Sequence, residues 1–109
     1  MIIGIAGPYS APAEQERNNN LDRLNEIAGM LLERGHIPLI GLNAALPVVH
    51  TSSVSDPYKA IMDISMVVID KCDALLLVAE SPGANRERDL VLSKGLPVYY
   101  SIDEVPSAI

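Results

Sequence analysis

Leu75-Leu76-Leu77-Val78-Ala79, followed at once by Glu80-Ser81-Pro82-Gly83-Ala84, sets the architecture of this chain. Five apolar residues without alternation suit a strand buried on both faces, as in a parallel sheet. Ser81-Pro82-Gly83 breaks the strand. Arg86 to Lys94 then reads as a short helix closed by Gly95, and Leu96 to Tyr100 as a final strand. Upstream, Tyr58 to Lys71 has helical spacing through Ile61, Met62, Met66 and Ile69. A strand flanked by helices on both sides is the repeating unit of an α/β sheet.

The same alternation extends to the start of the chain. Residues 2–6, Ile-Ile-Gly-Ile-Ala, form a short apolar run stopped by Gly7-Pro8. Residues 7–16 are polar and turn-rich. From Asn18 to Arg34, Leu21, Leu24, Ile27, Ala28, Leu31 and Leu32 recur at three and four, the stripe of an amphipathic helix. Gly35 is placed to end it. Ile37 to Ile40 gives a second strand. Residues 41–57, with Asn, Thr, three Ser and two Pro, read as a long loop. The tail, 101–109, is too short for another helix with a core face.

The order β-α-β-α-β-α-β predicts one domain over 1–109. It is an α/β three-layer sandwich of the flavodoxin or Rossmann type, with about four parallel strands in order 2-1-3-4. Its switch point lies between the first and third strands, and ligands bind at the carboxyl ends of strands there. Two loops are picked out in this way: Gly7-Pro8-Tyr9-Ser10 and Glu80-Ser81-Pro82-Gly83-Ala84.

Eight Lys+Arg against fourteen Asp+Glu give −6, which argues against binding a nucleic-acid polymer. No apolar run approaches the roughly 18 residues of a membrane span. The start lacks a charged n-region, and the single cysteine, Cys72, allows no intramolecular disulfide. A cytoplasmic protein is expected. His36 and His50 are isolated, so no metal site is visible, and no motif asks for a cofactor. A receiver domain would need an acidic cluster after the first strand, and Gly7-Pro8-Tyr9-Ser10 offers none.

Small residues in Ser81-Pro82-Gly83-Ala84 let backbone N–H groups approach an anion at a helix N-terminus. A turn that merely caps a helix has the same composition. Glu87 reads as lying in the first helical turn, where the macrodipole alone favours an acidic residue; the functional alternative is that the dipole keeps the carboxylate ionised and suited to be a nucleophile. Asp63 and Asp70 are seven apart and share a helical face; a solvated face is the plain alternative to a catalytic acid. Asp73 reads as a turn residue and Cys72 as a buried small hydrophobe.

Taken in order, Ala6-Gly7-Pro8-Tyr9-Ser10, Leu32-Glu33-Arg34-Gly35-His36-Ile37-Pro38, Lys71-Cys72-Asp73-Ala74-Leu75-Leu76-Leu77, Ser81-Pro82-Gly83-Ala84 with Glu87, and Gly95-Leu96-Pro97-Val98 resemble the nucleoside 2-deoxyribosyltransferase superfamily. That superfamily includes 2′-deoxynucleoside 5′-monophosphate N-glycosidases. The resemblance spans residues 1–100. It implies cleavage or transfer at the N-glycosidic bond of a deoxyribonucleoside or its 5′-monophosphate, with Glu87 as nucleophile; Asp63, one of the nearest acids to the position of the superfamily's Asp, is the candidate to assist the leaving base. It implies that Ser81 and Gly83 hold the 5′ end of the sugar or its phosphate, and that Gly7, Pro8, Tyr9 and Ser10 line the same pocket.

The resemblance also implies a homo-oligomer, in which a neighbour's C-terminal segment, here around Ser107, helps close the site. The apolar residues Ala44, Ala45, Leu46, Val48 and Val49 of the expected loop, and Met62, Met66 and Ile69 of the second helix, suggest the contact surface. Ser65 departs from the superfamily, standing where relatives carry an Asp, and so do Asp89 and Val91, where relatives carry small residues. A nucleotide-binding module that kept the fold without the chemistry is the alternative these departures raise.

Overall fold

A computed structural model describes residues 1–109. The elements are β1 (Ile2–Ala6), α1 (Glu14–Glu33), β2 (Ile37–Leu39), α2 (Gly41–His50), α3 (Pro57–Asp70), β3 (Ala74–Leu77), α4 (Pro82–Ser93), β4 (Val98–Tyr99) and a 3₁₀ turn over Ile102–Glu104. The strands form one parallel sheet in order β2-β1-β3-β4. The α/β class and the strand order are those expected from the sequence.

Alternate residues of β1 and β3 face opposite layers. Ile3, Ile5, Ala74 and Leu76 pack with Leu24 and Leu31 of α1 and with Val105 after the 3₁₀ turn. Ala6, Leu75 and Leu77 pack with Ile69 of α3, Cys72, and Ala84 and Val91 of α4. Two cores on either side of one sheet are what a run buried on both faces requires. Gly35 and Gly95 follow the caps of α1 and α4 with φ of +88° and +72°, a conformation that favours glycine.

The loop expected over 41–57 is incorrect. Gly41–His50 is a helix, and only residues 51–56 connect it to α3. Ala45, Leu46 and Val49 are buried and recur at helical spacing. Pro47 lies inside the helix and removes one of its hydrogen bonds. Packing against α3 outweighs that loss, and Pro47 is what hides the period in the sequence. The correction also bears on association: Ala45, Leu46 and Val49 need no partner chain, whereas Ala44 and Val48 remain exposed.

Other bounds shift for local reasons. Helix α1 begins at Glu14, not Asn18, with acidic Glu14 and Glu16 in its first turn. Helix α4 begins at Pro82, not Arg86, because Ser81 caps it and Pro82 occupies a first-turn position where the missing N–H costs nothing. Strand β3 ends at Leu77 and β4 is only two residues long.

Candidate functional site

A cavity of about 310 Å³ opens at the carboxyl ends of β1 and β3. The two loops picked out by topology form two of its walls: Gly7, Pro8, Tyr9 and Ser10 on one side, Ser81, Pro82, Gly83 and Ala84 on the other. Glu87 of α4 lines it as well. Tyr58, Ile61, Met62 and Ser65, one face of α3, supply a third wall, and Gly41 and Leu42 at the start of α2 complete it.

The first loop is held by α1. Asn20 Nδ2 donates to the Tyr9 carbonyl at 3.0 Å, and Arg17 Nη1 donates to the Ala11 carbonyl at 2.8 Å. Gly7 allows the loop to lie against the core: a β-carbon there would sit 2.9 Å from Leu24 Cδ2 and 3.3 Å from Val78 Cβ.

Ser81 is extended, and its Oγ accepts the Ala84 N–H at 3.1 Å. Its carbonyl accepts the Asn85 N–H at 2.8 Å. The capping reading of this turn is therefore realised. The Oγ donates no hydrogen bond within the chain, and the residue lines the cavity.

Glu87 corrects the reading of its helix. Because α4 starts at Pro82, Glu87 lies in the second turn, and the dipole fades beyond the first. The side chain is 8% exposed and has no hydrogen-bond or ion-pair partner in the protein. Burial pushes its carboxyl up from an ordinary 4.5 to about 8. The expectation of a dipole-held carboxylate does not fit this position: Glu87 lies beyond the first turn, and desolvation opposes its ionised form. The adjacent Arg88 gives no relief, because its guanidinium pairs outward with Glu80 and Asp89, each at 3.0 Å.

Asp63 is not brought to this cavity. It is exposed on α3, 2.7 Å from Lys59 Nζ. Asp70 pairs with Lys94 of the α4 cap, and Asp73 accepts the Ile2 N–H at 2.8 Å. The solvated-face reading holds for Asp63, and Glu87 is the only carboxyl on the cavity wall. Ser107 is not brought to it either. The tail of the same chain lies near the amino ends of β1 and β2, where His36 Nε2 meets the Pro106 carbonyl at 2.6 Å and Ala108 N–H donates to the Arg34 carbonyl. Cys72 is buried, its thiol pushed up to about 11 by burial first and then by Asp73 and Glu87, as suits an inert core cysteine.

Ser65 is the site residue that sequence reasoning noted only as a departure. It is 1% exposed, lines the cavity, and its Oγ has no hydrogen-bond partner. Its seven-residue spacing from Tyr58, with Ile61 and Met62 between, is the signal that places it on the cavity face of α3.

No Lys, Arg or His lines the cavity, and no cluster of three His, Cys, Asp or Glu side chains occurs in the chain. No helix is long and apolar enough to cross a membrane. No family model matches the sequence, and no curated protein matches it. Fold and site define the class as a three-layer α/β domain with a cavity at its topological switch point.

Proposed function

We propose that this protein cleaves the N-glycosidic bond of a 2′-deoxyribonucleoside or its 5′-monophosphate, with Glu87 as nucleophile. The observation that carries the reading is a single buried, unpaired carboxyl on the wall of the switch-point cavity. Glu87 attacks C1′ in its ionised form. The C1′–N bond breaks, its electron pair leaves on the base nitrogen, and the base takes a proton from water. Water then adds to C1′, returning the Glu87 carboxylate and releasing a proton; a second base in place of that water gives transfer.

Retaining glycosidases pair two carboxyls about 5–5.5 Å apart. Here the second acid is absent from the cavity, so departure of the base is assisted by hydroxyl donors and not by Asp63. An ionised Glu87, desolvated and without donors, is reactive toward a developing cation at C1′.

That missing acid favours a second reading, a binding module of the same fold without turnover. Incubation with the four common 2′-deoxynucleosides and their 5′-monophosphates, followed by chromatography, separates the two. Free base supports the enzyme. Ligand binding without free base supports the module.

A further inference from the structure

Resting on that reading of Glu87, we infer that the preferred substrate is a nucleoside whose base is already a cation, with a positive charge delocalised onto the glycosidic nitrogen. Pyridinium nucleosides and N-alkylated purine nucleosides are the chemical types. Departure of an ordinary neutral base leaves an electron pair on nitrogen that a proton must neutralise. The usual donor is a second carboxylic acid.

The cavity has no such donor. Its one carboxyl is Glu87, which the attack consumes. On the α3 wall the residues turned inward are Tyr58, Ile61, Met62 and Ser65. Asp63 pairs with Lys59 in solvent, and Asp70 with Lys94. The Ser and Tyr hydroxyls on the wall donate hydrogen bonds, but a hydroxyl gives up its proton far less readily than a carboxylic acid.

A cationic base needs no proton. The Glu87 carboxylate bonds to C1′, the C1′–N bond breaks, and its electron pair cancels the charge on the base, which leaves neutral. Two opposite charges become two neutral groups in one step. Burial penalises the Glu87 charge, and that penalty disappears as the bond forms. With a neutral base the same attack moves the charge onto the leaving group and keeps it in a desolvated site. Water then cleaves the ester, restoring the carboxylate and releasing one proton.

The wall also accepts a cation. No Lys, Arg or His lines it, and Arg88, next to Glu87 in the chain, is held by Glu80 and Asp89, each at 3.0 Å. Tyr9 and Tyr58 add aromatic rings, whose faces attract cations. The net charge of −6 draws positive ligands toward the molecule.

The test measures base release from 3-carbamoylpyridinium 2′-deoxyriboside, a permanent cation, from its uncharged 1,4-dihydro form, and from 2′-deoxyadenosine, with uncatalysed hydrolysis subtracted. For the cation, kcat/KM should exceed that of both neutral compounds by about 100-fold or more, the lower end of what a general acid contributes. Release from a neutral compound at a rate equal to or above the cation's overturns the inference and leaves the Glu87 reading standing. A preference for the cation that persists at full rate in Glu87→Gln supports the substrate class and overturns Glu87 as nucleophile. Release from none of the three overturns both.

Discussion

Gly41 and Ser65 pack so closely that a β-carbon on the glycine would lie 2.7 Å from both Cα and Cβ of the serine. The contact joins the first residue of α2 to the middle of α3 and fixes one corner of the cavity. The Cα of Ser65 belongs to the helical backbone of α3 at a buried position and cannot swing aside as a flexible side-chain tip would.

Gly41→Ala should therefore destabilise the fold by about 1–3 kcal/mol, the usual cost of overpacking. Gly29→Ala is the control. Gly29 lies exposed in α1 with no atom near its missing β-carbon, so alanine there should stabilise by about 0.5–1 kcal/mol. Urea denaturation of the two variants reads both signs; equal shifts would show that the Gly41–Ser65 approach is not tight.

Glu87 makes stability depend on pH. Its carboxyl is raised in the folded state to about 8 from an ordinary 4.5. The stabilising effect of keeping it protonated is complete below about 4.5 and is lost as pH rises toward 8, because only the unfolded chain ionises in that window. The slope from this group approaches about 1.4 kcal/mol per pH unit. Glu87→Gln should flatten the melting temperature between pH 5 and 8 and raise it at pH 8. An unchanged pH profile would show that burial does not hold the group neutral.

In the proposed reaction the same ionisation sets the pH dependence of the rate. If ionised Glu87 attacks C1′, log kcat/KM should climb with unit slope and level near pH 8. A rate that levels near pH 5 would mean that the reacting group is not the buried one.

Ser81→Ala removes the cap of α4 and should cost about 0.5–2 kcal/mol. Ser81→Asn, which keeps a capping acceptor, should recover most of the loss. Thermal melts of the two variants check this. Equal losses would mean that the Ser81 Oγ bond to Ala84 contributes little.

Self-association remains an expectation with a narrower basis than the sequence implied. Val48 of α2 and Val67 of α3 are 59% and 62% exposed, large apolar side chains that association could cover. Sedimentation equilibrium should show a species heavier than 11.7 kDa at micromolar concentration. A monomer that turns over substrate would end the idea of a shared site.

Much of the fold is legible because buried parallel strands announce themselves as unbroken apolar runs. Leu75–Leu77 and Ile2–Ala6 do so, and glycines placed after the helices, Gly35 and Gly95, punctuate them. Helix α2 is not legible, because Pro47 and flanking small residues look like a loop until α3 is there to bury Ala45, Leu46 and Val49. In the site, topology alone brings Gly7–Ser10 to Ser81–Ala84. The state of Glu87 is not legible, since desolvation depends on three walls drawn from distant segments. The exclusion of Asp63 turns on which side of α3 faces the cavity, and that is set by Ser65 and Tyr58.

The central claim is that Glu87 is the nucleophile, and Glu87→Gln tests it most directly. With the 2′-deoxynucleoside that the wild type cleaves best, base release should fall by several orders of magnitude while calorimetric affinity stays nearly unchanged, because the covalent step is removed and ground-state binding is not. Base release within tenfold of the wild type would contradict it.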